Sequence, residues 1–261
     1  MSSAARGYAP RAIMAPALVG LAFLILPLAA LIARVRWSTF LTDVTSEAAR
    51  SALVLSLGTG LLATLICVIL GVPLALTIAR SGPRLAAVLR AAVTVPLVLP
   101  PMVGGVALLY LFGRAGWFGG LGISFSTPAV VLAQTFVALP FLVLAVEGAV
   151  RTSGVDYERT AAALGASRWT ILRRITLPLA APGIVAGVVL CFARAIGEFG
   201  ATALFAGNRP GVTQTMPLAI YTAFNGAGVS QGTAVALALL LLAAAIAVLL
   251  LVRGWRPGAA R

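Results

Sequence analysis

Six stretches of the chain are apolar over about twenty residues each, and short polar gaps separate them. They cover residues 13–32, 52–79, 93–112, 129–150, 184–204 and 233–252. A helix needs roughly 20 apolar residues to cross a bilayer. The pattern therefore predicts an all-α polytopic membrane protein with about six transmembrane helices. Arg6 and Arg11 precede the first stretch, as basic residues precede a signal peptide. Its apolar run exceeds the roughly 7–15 residues of such a segment, so an uncleaved anchor is expected.

Two spans are irregular. The third packs Pro96, Pro100, Pro101, Gly104 and Gly105 into ten residues. Each proline removes a backbone donor and collides with the preceding turn, so this helix should kink or break. Inside a membrane a break is tolerated only where protein or a watery cavity satisfies the freed groups. Packing and the lining of a pathway are both open readings. The fifth span carries Arg194 and Glu198, four apart and so able to pair on one helix face. A lone charge at mid-bilayer costs roughly 2.5–3.5 kcal/mol, so the two are expected to face the bundle interior, as a structural ion pair or as part of a gate. Gly197 and Gly200 flank the acid and allow close backbone approach. The segments FGRAGWFGGLGISFSTP and GNRPGVTQT read as short external loops that offer amides, hydroxyls, Arg114 and Arg209.

Composition agrees with the pattern and excludes several functions. The 261 residues are 61% hydrophobic and 10% charged, with a mean hydropathy of +1.08; a soluble domain carries about 25% charged residues. All 19 basic residues are arginine, and the net charge is +13. They sit in the gaps between apolar runs, which is membrane topology and not a nucleic-acid face. With the N-terminus inside, thirteen arginines fall in cytoplasmic segments and five in outer ones. That bias places both termini, and residues 157–179, in the cytoplasm. No gap is long enough for a separate domain, so one membrane domain is expected over residues 1–261, with a cytoplasmic segment at about 151–181. With no His, no Lys and six acids, general acid–base and metal chemistry lack their usual parts. No catalytic or metal-ligating residue is expected, and the chain is not expected to be an enzyme. Cys67 and Cys191 lie inside apolar runs and read as buried thiols.

The run YERTAAALGASRWTILRRITLPL, residues 157–179, is the most water-compatible in the chain. Asp156 can N-cap a helix from Tyr157, and Glu158 complements its dipole. Gly165 is a natural stop, and Ser167 can cap a second helix that runs to Leu177 before Pro178. Helices this short are marginal in water unless they dock. A mostly alanine face suits a protein groove better than a lipid surface, so a docking role is favoured.

The same run resembles the cytoplasmic signature of ABC importer permeases, a Glu-Ala-Ala stretch, three residues, Gly, then Leu-Pro. Ala161, Gly165, Leu177 and Pro178 carry the resemblance. Arg159 and Thr160 stand where the general pattern has Glu-Ala, with the acid one residue earlier at Glu158, as the molybdate branch often has it. FARAIGEFGATALFAGNRPGVTQTMPLAIY, PLVLPPMVGGVALLYLFGR and FSTPAVVLAQTFVALPFLV are similar to the permease subunit of that branch. The resemblance implies a type I ABC importer fold and import of molybdate, with tungstate as a further cargo. It implies two permease copies, two ATP-binding cassette subunits that hold ATP and Mg, and an extracytoplasmic molybdate-binding protein, all at a bacterial cytoplasmic membrane. It gives this chain no cofactor and no nucleic-acid partner. The implied coupling residues are Asp156, Tyr157, Glu158, Ala161, Leu164, Gly165, Ala166 and Ser167. The implied gate comprises Arg194, Gly197, Glu198, Phe199, Gly200 and Thr202. A sulfate or thiosulfate permease is the nearest alternative; Phe199, Ala201 and Thr202 fit the molybdate branch better. A secondary anion transporter is the alternative from another class, and it usually shows inverted repeats.

Overall fold

Three helices, α3, α6 and α9, pack into the centre of the molecule, and the remaining elements are arranged around them. The computed structural model describes residues 11–153 and 155–254. Arg6, Arg256 and Arg261 of the charge pattern, the two ends of the expected domain, and Gly154 of the cytoplasmic segment lie outside them.

The chain begins with α1 (Arg11–Ala33), α2 (Phe40–Thr45) and α3 (Glu47–Arg80). α3 is started by Ser46, whose hydroxyl accepts from the Ala49 N–H, with Glu47 in its first turn and Arg80 in its last. Both charges complement the helix dipole. Its 34 residues rise about 51 Å, well beyond a hydrocarbon core of about 30 Å, so its ends project from the membrane. α6 (Thr127–Thr152) crosses beside it, and α9 (Leu177–Ile196) completes the trio. Cys67, Ala75, Ile78, Leu142, Val143, Val146, Ala180 and Cys191 form their common core, so both thiols are buried as expected.

α1 stands apart. None of its apolar window is buried within the chain, and its main packing is a small contact with α12 (Gln231–Gly254). Among the described residues, four helices are long and apolar enough to cross a membrane: α1, α3, α6 and the continuous helix Arg168–Ile196. The bent pair α4 (Pro83–Val98) and α5 (Pro101–Phe112) supplies a fifth span. α12 adds a shorter apolar stretch, Gln231–Ala247.

The third span differs from expectation in extent. The apolar run 93–112 is not one kinked helix: its first part belongs to α4, which starts at Pro83, and α5 turns away by 109°. Leu99 and Pro100 each precede a proline and are driven to extended backbone, with ψ of 138° and 133°. Two consecutive extended residues end one helix and re-aim the next.

The fifth span also shifts. It starts sixteen residues before residue 184, at Arg168, and ends at Ile196, not Leu204. Gly197–Phe199 are non-helical, and a short α10 (Gly200–Phe205) follows. A further helix, α11 (Met216–Phe224), appears where sequence reading placed only a connection to the last span.

Candidate coupling and gating sites

The cytoplasmic-type insert folds as α7 (Asp156–Ala163) and α8 (Arg168–Ile171) joined at Gly165. Gly165 sits at φ +85°, its N–H donates to the Ala162 carbonyl, and the Ala166 N–H donates to the Ala161 carbonyl. This double closure with a left-handed residue is the glycine stop expected from the sequence. Ser167 caps α8 by accepting the Thr170 N–H at 3.2 Å. Asp156 does not cap: the helix starts one residue earlier than expected, Val155 holds the capping position, and Asp156 lies in the first turn. There its charge complements the dipole, and it meets Arg159 at 3.9 Å.

Pro178 does not end the second helix either. Its ring excludes the α-type bond to the turn before it, so the helix widens into a π-turn over Leu172–Thr176, with the Leu177 N–H donating to the Leu172 carbonyl. The helix then continues as α9. The insert is thus one free short helix, α7, and a second that is the extended root of a span. Tyr157, Leu164 and Trp169 project outward, exposed by 67%, 84% and 64%, and Arg173 lies over the Trp169 ring. Ala161 and Ala166 are half-buried.

Glu158 resolves the displacement of the acid. It is half-buried, turned inward, and paired with Arg80 at the end of α3; the Thr176 hydroxyl donates to the same carboxylate oxygen at 2.7 Å. Beside it, Glu147 of α6 is buried and receives Arg90 of α4 and, at 2.9 Å, Arg151. The first set of contacts ties α7 to α3 and to the π-turn, and the second ties α4 to α6; sequence spacing did not reveal them, since Arg90 and Glu147 lie 57 residues apart.

The second site lies where the two helix breaks meet. A Cβ on Gly200 would fall 3.0 Å from Pro101 Cβ and 3.2 Å from the Met102 nitrogen, and one on Gly105 would fall 2.9 Å from Ala201 Cα. The N-terminal ends of α10 and α5 are therefore in backbone contact. Arg194 and Glu198 pair at 2.6 Å, as the spacing predicted, although Glu198 is beyond the helix end. Its other oxygen accepts the Ala201 N–H at 2.9 Å, so Glu198 caps α10 while neutralising Arg194. Phe199 packs on Tyr221 of α11, ring centroids 4.9 Å apart. Gly197 ends α9, and Thr202 is fully buried in α10.

Of the two expected external loops, the second turns inward. Thr213, Gln214 and Thr215 are buried. The Thr127 hydroxyl donates to the Val212 carbonyl at 2.9 Å, and the Met216 N–H donates to Ser56 Oγ at 2.7 Å. Of the loop's own hydroxyls, Thr213 accepts the Arg209 N–H at 2.8 Å, while the Arg209 side chain stays exposed. Among the described residues no group of three or more His, Cys, Asp or Glu is placed to hold a metal.

A helical bundle with two broken spans in backbone contact and a charged insert at one end has the form of a membrane transport permease. A family model described as the binding-protein-dependent transport system inner membrane component matches residues 68–258, and the chain belongs to this family. It is 52% identical over 238 residues, 89% of each chain, to the molybdenum transport system permease protein ModB of Mycobacterium tuberculosis. It is 40% identical to the ModB of Escherichia coli K12 over 70% of this chain and 83% of that one. Among solved structures, a bacterial alginate ABC transporter superposes with a TM-score of 0.71 at 19% identity, covering 92% of this chain and 91% of its own. The MetNI methionine ABC transporter gives 0.62 at 21% identity, over 80% and 99%. The fold is that of type I ABC importer permeases, the relatives are named as transport system permease proteins, and the several apolar helices of this chain are those of a multi-pass membrane protein.

Proposed function

We propose that the chain is the membrane-spanning permease subunit of an ATP-driven importer that carries molybdate into the cytoplasm. The observation that carries this reading is the 52% identity, spanning 89% of both chains, to a molybdenum transport permease. The chain acts as one membrane domain, pairs with a second copy, and works with two ATP-binding cassette subunits and an extracytoplasmic binding protein. ATP and Mg belong to the cassette subunits. The insert end faces the cytoplasm and the termini lie on that side, in keeping with the arginine bias.

In this reading the outward face of the insert, with Tyr157, Leu164 and Trp169, seats in a cleft of the ATP-binding subunit. Gly165 gives the turn its left-handed geometry, and Asp156, Ala161, Ala166 and Ser167 shape its two helix ends. The contact of α10 with α5 is the gate. Glu198 faces a dianion unfavourably as a ligand, so its part is to hold Arg194 and cap α10. Glycine at positions 105 and 200 lets the two helix ends close on each other without side chains between them.

The test is reconstitution of the chain with its cognate ATPase and binding protein in proteoliposomes, followed by uptake of molybdate, tungstate and sulfate. ATP-dependent molybdate uptake that exceeds sulfate uptake is expected. A preference for sulfate would overturn the substrate assignment.

A further inference from the structure

Glu158 lies within the segment proposed to dock on the ATPase, yet its side chain points the other way. Only 17% of it is exposed. One carboxylate oxygen accepts from both the Arg80 guanidinium, at the last residue of α3, and the Thr176 hydroxyl, in the π-turn at the root of α9. The packing of α7 is otherwise concentrated on α8 and the π-turn. Behind it lies a cleft of about 550 Å³ bordered by Leu76, Arg80, Ala162, Ile171 and Leu172. An eight-residue helix is too short to hold its own position in water, and this space would let it swing inward under load. The ionic contact to α3 closes that freedom.

We infer that Glu158 is a positioning residue: it latches α7 to the cytoplasmic ends of α3 and α9, so that displacement of the docked insert moves two spans together instead of being absorbed by rotation of α7. This rests on the docking reading above but makes a separate claim, because a residue that contacted the ATPase itself would have to leave Arg80. The partly exposed pair contributes little to stability; what it supplies is direction.

The experiment uses the assembled importer in proteoliposomes and reads molybdate transported per ATP hydrolysed. Glu158→Gln is expected to keep the ATPase subunits bound while this ratio falls about fivefold or more, the lower end of ordinary coupling energies. The charge-reversed pair, Arg80→Glu with Glu158→Arg, is expected to recover most of the loss. A chain carrying Arg80→Cys and Glu158→Cys is expected to be uncoupled until a short bifunctional thiol reagent links the two positions, which restores the ratio; the native Cys67 and Cys191 are buried. Release of the ATPase by Glu158→Gln, an unchanged ratio, or a cross-link that fails to restore coupling would each overturn the latch. Failure of the docking reading would look different: a bulky replacement at Gly165 would then leave assembly and uptake intact.

Discussion

At the scale of single residues, Glu198 holds two partners at once. It is 1% exposed, faces Arg194 at 2.6 Å, and caps α10 through the Ala201 N–H. Removing one member of a buried pair strands the other charge, at a cost of about 3–5 kcal/mol. Glu198→Ala is therefore expected to lower the thermal unfolding midpoint of the detergent-purified protein by several degrees. Arg194→Ala combined with Glu198→Ala should recover part of that loss, because the stranded charge is gone. A double variant no more stable than Glu198→Ala would show that capping, not charge, dominates. Gly165 offers a cleaner case. A Cβ there meets nothing within 4 Å, while the backbone sits at φ +85°. Gly165→Ala tests conformation alone and is expected to destabilise the turn by about 1 kcal/mol, whereas Gly165→Val should abolish ATP-coupled uptake with the protein still in the membrane. Spacing alone gave the Arg194–Glu198 pair and the Gly165 stop, because both depend on neighbours within one or two turns. Glu147 with Arg90, and Glu158 with Arg80, were invisible because their partners come from distant parts of the chain.

At the scale of elements, the apolar runs mark where lipid-spanning helices are, and the prolines mark where they fail. Pro100 and Pro101 produced the expected break, but hydropathy could not say that α4 would extend back to Pro83, beyond the bilayer-length window. Pro178 misled in the other direction. A mid-helix proline normally breaks the α-type ladder, but the π-turn before it absorbed the missing donor and let the helix run on. α11 escaped notice because nine residues cannot span a membrane and its inward loop looks polar by composition. The meeting of α5 and α10 invites a direct probe. Gly105→Leu places atoms against the Ala201 backbone, which has no rotamer by which to yield. It is expected to cut molybdate uptake at least tenfold with the protein still inserted, while substitution at Gly120, where a Cβ meets nothing within 4 Å, leaves uptake unchanged.

At the scale of the whole molecule, sidedness and assembly follow from what the bundle leaves uncovered. Trp117, 89% exposed, and Trp169, 64% exposed, lie beyond opposite ends of α6. In intact cells a membrane-impermeant thiol reagent is expected to label Trp117→Cys, and to label Trp169→Cys only after permeabilisation; the reverse pattern would invert the orientation. The pairing proposed above is expected to make the purified chain run as a dimer by light scattering; α1, apolar and unburied within its own chain, is a face open to a second copy or to lipid. Polytopic class was legible from hydropathy alone. The central packing of α3, α6 and α9 was not, because helices that are apolar all round give no amphipathic stripe to say which face is inside.

The π-turn that carries α8 into α9 has a mechanical consequence. The helix Arg168–Ile196 is continuous over 29 residues, a rod about 44 Å long. One tip is at the insert surface, and the other is at the break beside α5. Pivoted at one tip, a tilt of about ten degrees sweeps the other through about 8 Å, more than the diameter of a tetrahedral oxyanion. If the insert docks on an ATP-driven subunit as proposed, the rod would work as a lever arm, a modest change of angle at the docked end being geometrically enough to part α10 from α5.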